Sequence, residues 1–114
     1  MRWILGLFVL LPWAAAGQDF TVPESFWLAP RSGPAIIAEP AIAQAVHRFL
    51  DHPGAQLILH HGRNDEASAQ AEELRGWLIA LGIEADVIQL LADGSSGRPL
   101  RIEVTSSNPA KAPQ

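Results

Sequence analysis

Four histidines, a serine pair and three clustered glutamates are the residues of this chain whose types could carry chemistry. His60 and His61 are adjacent at the end of an apolar run, His47 and His52 precede them, and Asp65 and Glu66 follow closely. A three-ligand zinc site is conceivable from such a set. Neighbouring residues on a strand point to opposite faces, however, and no His-x-x-x-His or His-Glu-x-x-His spacing sets two imidazoles on one helix face. The spacing predicts solvated or singly hydrogen-bonded histidines and no metal. Ser95 and Ser96, in Gly94-Ser95-Ser96-Gly97, lack the flanks of a nucleophile elbow, and a turn accounts for them. The same glycines do not open a helix, so they form no phosphate cradle. Glu66, Glu72 and Glu73 read as a solvated face that complements a helix N-terminal half rather than an acid/base pair. These patterns predict a protein that is not an enzyme and binds no cofactor.

The chain has 114 residues, 48% hydrophobic and 18% charged, which allows one domain and no second core. Arg2, the apolar run from Trp3 to Leu11, Pro12 and the small residues Ala14-Ala15-Ala16-Gly17 match a signal peptide over residues 1–17, cut after Ala16 or Gly17. The run is too short for a permanent span of a bilayer about 30 Å thick. Without its leader the product keeps roughly 97 residues. It also keeps all twelve acidic residues against seven of the eight basic ones, a net charge near −5. That balance disfavours nucleic acid and anionic lipid surfaces as partners, since both reward positive charge. The chain contains no cysteine, which excludes acylation on cysteine and disulfide staples. A soluble periplasmic protein held by its core alone is expected.

Residues 18–34 form a lead-in rich in Pro, Gly and Ser, in which Pro23, Pro30 and Pro34 forbid a long helix and a short edge strand is possible. Its apolar island, Phe26-Trp27-Leu28, is expected to anchor on the domain. A domain over 35–105 follows. Pro40 suits the first turn of a helix whose stripe is Ile42, Val46, Phe49 and Leu50, stopped near Pro53-Gly54. Gln56 to His60 reads as a buried central strand. A helix runs from about Glu66 to Leu81, with Leu74, Leu78 and Leu81 on one face beside Trp77, and Gly82 caps it. Val87 to Leu91 forms a strand, 93–99 a turn of hairpin type, and Leu100 to Thr105 a cleanly alternating strand with one wet face, expected at the sheet edge. The tail, 106–114, has no periodicity and is expected to be disordered. This order predicts an α/β (α+β) two-layer sandwich, two helices on one face of a small mixed sheet, with a parallel crossover from Gln56 to Leu91.

The run Pro53-Gly54-Ala55-Gln56-Leu57-Ile58-Leu59-His60-His61-Gly62-Arg63-Asn64-Asp65, with the helix exit Leu78-Ile79-Ala80-Leu81-Gly82-Ile83, resembles the peptidoglycan-associating OmpA-like domain over residues 40 to about 90. That family shows a strand ending Gly-His-Thr-Asp and a helix exit Leu-x-x-x-Gly-Ile. The resemblance implies a module of the bacterial cell envelope in which Asp65 receives an amino group of a peptidoglycan peptide, with Arg63 and Asn64 beside it. Gln70 stands where the family carries a carboxylate-binding arginine, and the loop after Asp65 is shorter, so a ligand carboxylate lacks its paired cation there. Two expectations follow. The scaffold binds another envelope protein through a patch around Phe26, Trp27 or the last strand's edge, or it binds peptidoglycan through Asp65, Arg63, Asn64 and Gln70.

Overall fold

Each helix begins where the chain supplies a cap. The computed structural model describes residues 17–94 and 98–105; the leader up to Ala16, the Ser95-Ser96-Gly97 part of the expected turn and the tail lie outside the described residues. In α1 (Gly33–Ala38) the Ser32 hydroxyl accepts from the Ala35 amide at 3.2 Å. In α2 (Pro40–Leu50) proline takes the first position and the Glu39 carboxylate accepts from the Ala41 amide at 3.1 Å. In α3 (Asp65–Ala80) the Asn64 side-chain oxygen accepts from the Ala67 amide at 2.7 Å, with Asp65 and Glu66 at the positive end of the dipole. α3 ends on Gly82, whose φ of 112° no other residue adopts without strain, and the Ile83 amide bonds back to the Leu78 carbonyl at 3.0 Å.

Four strands form one mixed sheet: β1 (Gln18–Thr21), β2 (Leu57–Gly62), β3 (Ile88–Gly94) and β4 (Arg101–Val104), in the order β1-β4-β2-β3. β2 and β3 are parallel and joined through α3, while β4 runs antiparallel to both β1 and β2. α2 lies over β1 and β4, and α3 over β2 and β3. The expected α+β sandwich is therefore the observed one, with α1 as a short extra helix. Its core joins Leu57, Leu59, Ile102 and Val104 of the sheet to Ile42 and Ala45 of α2 and to Ala71, Leu74 and Leu78 of α3. Leu57, Leu59 and Leu74 are fully buried, so truncating any of them to Ala costs about 2–5 kcal/mol. Gly17, just before β1, makes a close approach, because a Cβ there would collide with the Val104 backbone carbonyl.

Four details differ from the sequence reading. β4 is interior, flanked by β1 and β2, rather than at the edge. Its alternation is real, with Leu100, Ile102 and Val104 buried, but a wet alternate face reports an uncovered side of the sheet and not an edge position. Nor is the passage from β3 to β4 a hairpin, since β2 lies between them. Leu50 is exposed because it sits about 80° around the helix from Ile42 at roughly 100° per residue, outside the covered stripe, whereas Ala45 faces inward. Leu81 is also exposed: the chain has left the helix there, and Ile83 fills the site after the turn.

Candidate functional site

The lead-in delivers the residues that face α3. A 3-10 turn (Glu24–Leu28) places the Trp27 ring edge-on to Phe26, with centroids 5.0 Å apart at 81°. The Arg31 guanidinium lies 5.3 Å from the Trp27 ring centre and donates to the carbonyls of Trp27 at 2.8 Å and Ala29 at 2.9 Å. The same guanidinium grips Glu73 of α3 with two bonds, Nε to Oε2 at 3.0 Å and Nη2 to Oε1 at 3.1 Å. Trp77 Nε1 adds a third bond to Glu73, at 3.1 Å. The hydrogen bonds from Arg31, with its charge, hold the Glu73 carboxyl below its usual range and raise the Arg31 guanidinium. Phe26 and Trp27 pack half-buried against the core, as anchoring requires, while Leu28 beside them is 87% exposed. Of the three glutamates read as a solvated face, Glu66 and Glu72 are exposed but Glu73 is half-buried and paired.

Between this turn and α3 run two adjoining hollows of about 270 and 220 Å³ that share Glu24, Glu66 and Gln70. The larger has Trp27 and Leu28 on one wall and the Arg31–Glu73 pair beside them; the smaller continues to Asn64 and Arg98. The side chains of Glu24, Glu66 and Arg98 make no hydrogen bond or ion pair among the described residues. Of the four residues nominated from sequence, Asn64 and Gln70 line this groove. Asp65 opens α3 one residue beyond the cap, exposed, and Arg63 is exposed on the turn after β2; neither lines the groove. The residues that sequence reasoning missed, Glu24, Arg31 and Arg98, come from segments with no helical or strand period, so nothing in the spacing tied them to α3.

A second polar cluster occupies the sheet face away from the helices. His60 and His61 do point to opposite faces. His61 is buried on the helix side and donates from Nδ1 to the Gly62 carbonyl at 2.7 Å. His60 contradicts the expectation of a solvated or singly bonded ring. It is 9% exposed, with Asp93 Oδ2 at 2.7 Å from Nδ1 and Glu103 Oε1 at 2.8 Å from Nε2. The register explains it: Ile58 pairs with Glu103 and His60 with Arg101, which sets Glu103 diagonal to the ring. On the other side the pairing slips from His61↔Ala92 to Gly62↔Gly94, leaving Asp93 as a bulged residue. Arg101 bonds Asp19 of β1 at 2.9 Å and approaches Asp93 at 4.0 Å. The hydrogen bond from His60, and then the charges of His60 and Arg101, lower the Asp93 carboxyl below its ordinary range. The hollow beside this cluster measures about 50 Å³, room for a water but not for an organic ligand.

The two carboxylates occupy opposite nitrogens of His60, so they do not converge on a point where a cation could sit. Among the described residues no group of three His, Asp or Glu has metal-holding geometry, and no helix is long and apolar enough to cross a membrane. Comparison with protein-family models, with curated proteins and with solved structures finds no match. Fold and geometry together define an α+β sandwich with a charged groove on one flank and a laced ionic face on its sheet.

Proposed function

We propose that this chain is a non-enzymatic binding module of the bacterial cell envelope, exported to the periplasm by its leader, whose groove between the 3-10 turn and α3 takes a segment of another protein. One observation carries the reading: the groove joins an exposed apolar side chain, Leu28, to two carboxylates, Glu24 and Glu66, that have no partner among the described residues. A concave site with an apolar wall and free acids suits a segment carrying an aliphatic side chain beside a lysine or arginine. The export half rests on the pattern Arg2, Trp3 to Leu11 and Ala14 to Gly17. What supports the non-enzymatic half is His60, the one buried histidine on the open sheet face, whose two ring nitrogens are both taken up by carboxylates of the protein itself, which leaves neither free to reach a substrate. A photo-crosslinking residue at position 28 should give a discrete adduct with a second protein in cells, and Glu66→Lys should abolish it. Equal adducts from position 28 and from position 50, an exposed leucine on the distant α2, would overturn the reading.

A second reading is favoured by one specific contact. Arg98 lines the same hollow as Asn64, Gln70, Glu24 and Glu66, and so is a candidate for the cation that the resemblance to the OmpA-like domain leaves missing at Gln70. With carboxylates and a guanidinium in one lining, the hollow suits a peptidoglycan peptide carrying an amine and a carboxylate. Co-sedimentation with intact sacculi, with Arg98→Ala and Asp65→Ala alongside, separates the two. Binding lost with Arg98 favours peptidoglycan, and no binding by folded protein leaves the protein partner.

A further inference from the structure

A strand at the margin of a sheet turns one row of backbone N–H and C=O groups away from its neighbour, and another strand can pair with that row. The margins of this sheet are β1 and β3. β1 is four residues long, and its Asp19 is tied to Arg101. β3 has seven residues and pairs with β2 along one side, while no strand among the described residues pairs along the other. Folded proteins protect such margins with Lys, Pro, a short strand or a bulge. From Ile88 to Ala92 β3 has no charged residue and no proline, and its one irregularity falls at Asp93. We infer that β3 is a dimerisation edge, on which β3 of a second copy of this chain pairs antiparallel about a two-fold axis at Leu91, joining the two sheets into one.

The order of side chains along β3 commits the edge to a second copy. An antiparallel pair about Leu91 sets Leu91 against Leu91, Leu90 against Ala92 and Gln89 against Asp93, and directly opposite residues share a face of the sheet. Leu90 and Ala92 lie on the helix side, in register with Leu59 and His61, so apolar meets apolar there. On the open side Leu91 is 46% exposed, and meeting its own copy on the axis covers it twice. Gln89 gives one amide hydrogen to Gln56 at 3.0 Å and has a second for the carboxylate of Asp93 opposite. Like charges never stand face to face in this register. Asp93 is the only charged residue of β3, and it is already bonded by His60 at 2.7 Å and approached by Arg101 at 4.0 Å. The slipped register also leaves Asp93 without a partner on β2. A formal net charge of −4 opposes contact between copies over most of the surface, so an association forms where acids are fewest or already paired.

Sedimentation equilibrium of the purified protein, over a concentration series reaching about 1 mM, should show a monomer–dimer equilibrium. Leu91→Lys sets two ammonium groups against each other on the axis and should raise the dissociation constant about tenfold. Gln89→Glu faces a new carboxylate with Asp93 of the other copy, twice by symmetry, and should raise it about fivefold. Gln89→Lys turns the same pair into an attraction and should leave the constant unchanged or lower it. Both positions are exposed, so these variants keep the fold, and the two Gln89 variants decide the matter should Leu91→Lys unfold. Leu28→Asp, in the groove and away from β3, should leave the dimer intact. A wild-type monomer at every concentration would overturn the pairing and leave the edge to a strand of another protein. A dimer indifferent to Leu91→Lys, equal effects from the two Gln89 variants, or a dimer lost with Leu28→Asp would overturn it as well.

Discussion

The groove beside α3 and the ionic face of the sheet are built from the same residue types and reach opposite states. On the sheet, Asp19 meets Arg101 and His60 meets both Asp93 and Glu103, so every charge has a counter-charge within 3 Å. In the groove the Arg31–Glu73 pair is satisfied, while Glu24, Glu66 and Arg98 stand without partners among the described residues. The difference comes from how the two surfaces are assembled. Strands about 4.8 Å apart fix which side chains are opposite and which are diagonal, and register alone brings opposite charges together. A turn facing a helix has no such register, and here the two are stapled at a single guanidinium. Elsewhere a gap is left, lined by exposed charges that have no counter-charge among the described residues. Paired charge in this molecule holds strands to one another, and unpaired charge lines the groove proposed above as the binding site.

The sharpest way to break this comparison is to remove the central ring. His60→Ala leaves Asp93 and Glu103 without their shared donor. Removing one member of a fully buried pair costs about 3–5 kcal/mol. These carboxylates are 37% and 25% exposed, and solvent moderates the penalty, so about 2 kcal/mol is expected by urea denaturation. A loss below about 0.5 kcal/mol, the size of an ordinary surface change, would show that the cluster is ornamental. Acid reaches both regions at once and is the next effect in size. Asp93 and Glu73 are both held below their ordinary ranges in the folded protein, Asp93 by its bond from His60 and Glu73 by its bonds from Arg31. The stability each contributes is therefore complete above the unfolded carboxyl's titration and is lost as pH falls through the depressed folded value. Acid unfolding should begin below the ordinary carboxylate range, and in Asp93→Asn with Glu73→Gln the acid side of the pH–stability curve should flatten.

The sheet was more legible from sequence than the groove, for the same reason of register. The period-2 alternation of Leu100, Ile102 and Val104 against Arg101, Glu103 and Thr105 separated the two faces correctly. The apolar run Leu57 to Leu59 marked the central strand, and Gly82 marked the end of α3. What alternation cannot carry is which strand lies beside which. Glu103 was visible as an outward residue and His60 as a strand-end histidine, but their meeting depends on β4 inserting between β1 and β2. The bulge that aims Asp93 leaves no mark in composition at all. Asn64 and Gln70 were reached from the resemblance and do line the groove, whereas Asp65, the residue on which that resemblance turns, is not part of its lining.

The smallest expected effect on stability tests the other half of the comparison. Leu28→Asp changes a side chain that is 87% exposed and outside the core, so the unfolding midpoint should move by no more than about 0.5 kcal/mol. Capture of the partner segment should nevertheless weaken about tenfold, because an acid replaces the apolar wall next to two existing carboxylates and adds the cost of unmatched like charge. Trp27→Ala is the necessary contrast. Its ring is half-buried, edge-on to Phe26 and under Arg31, so that change should lower stability and binding together. If Leu28→Asp also destabilises the fold by more than about 1 kcal/mol, a size typical of buried positions, Leu28 belongs to the packing of the lead-in and the groove loses its apolar wall. If instead stability holds and binding falls, the division between charges that build the sheet and residues left free for a partner is established at the position where it is easiest to lose.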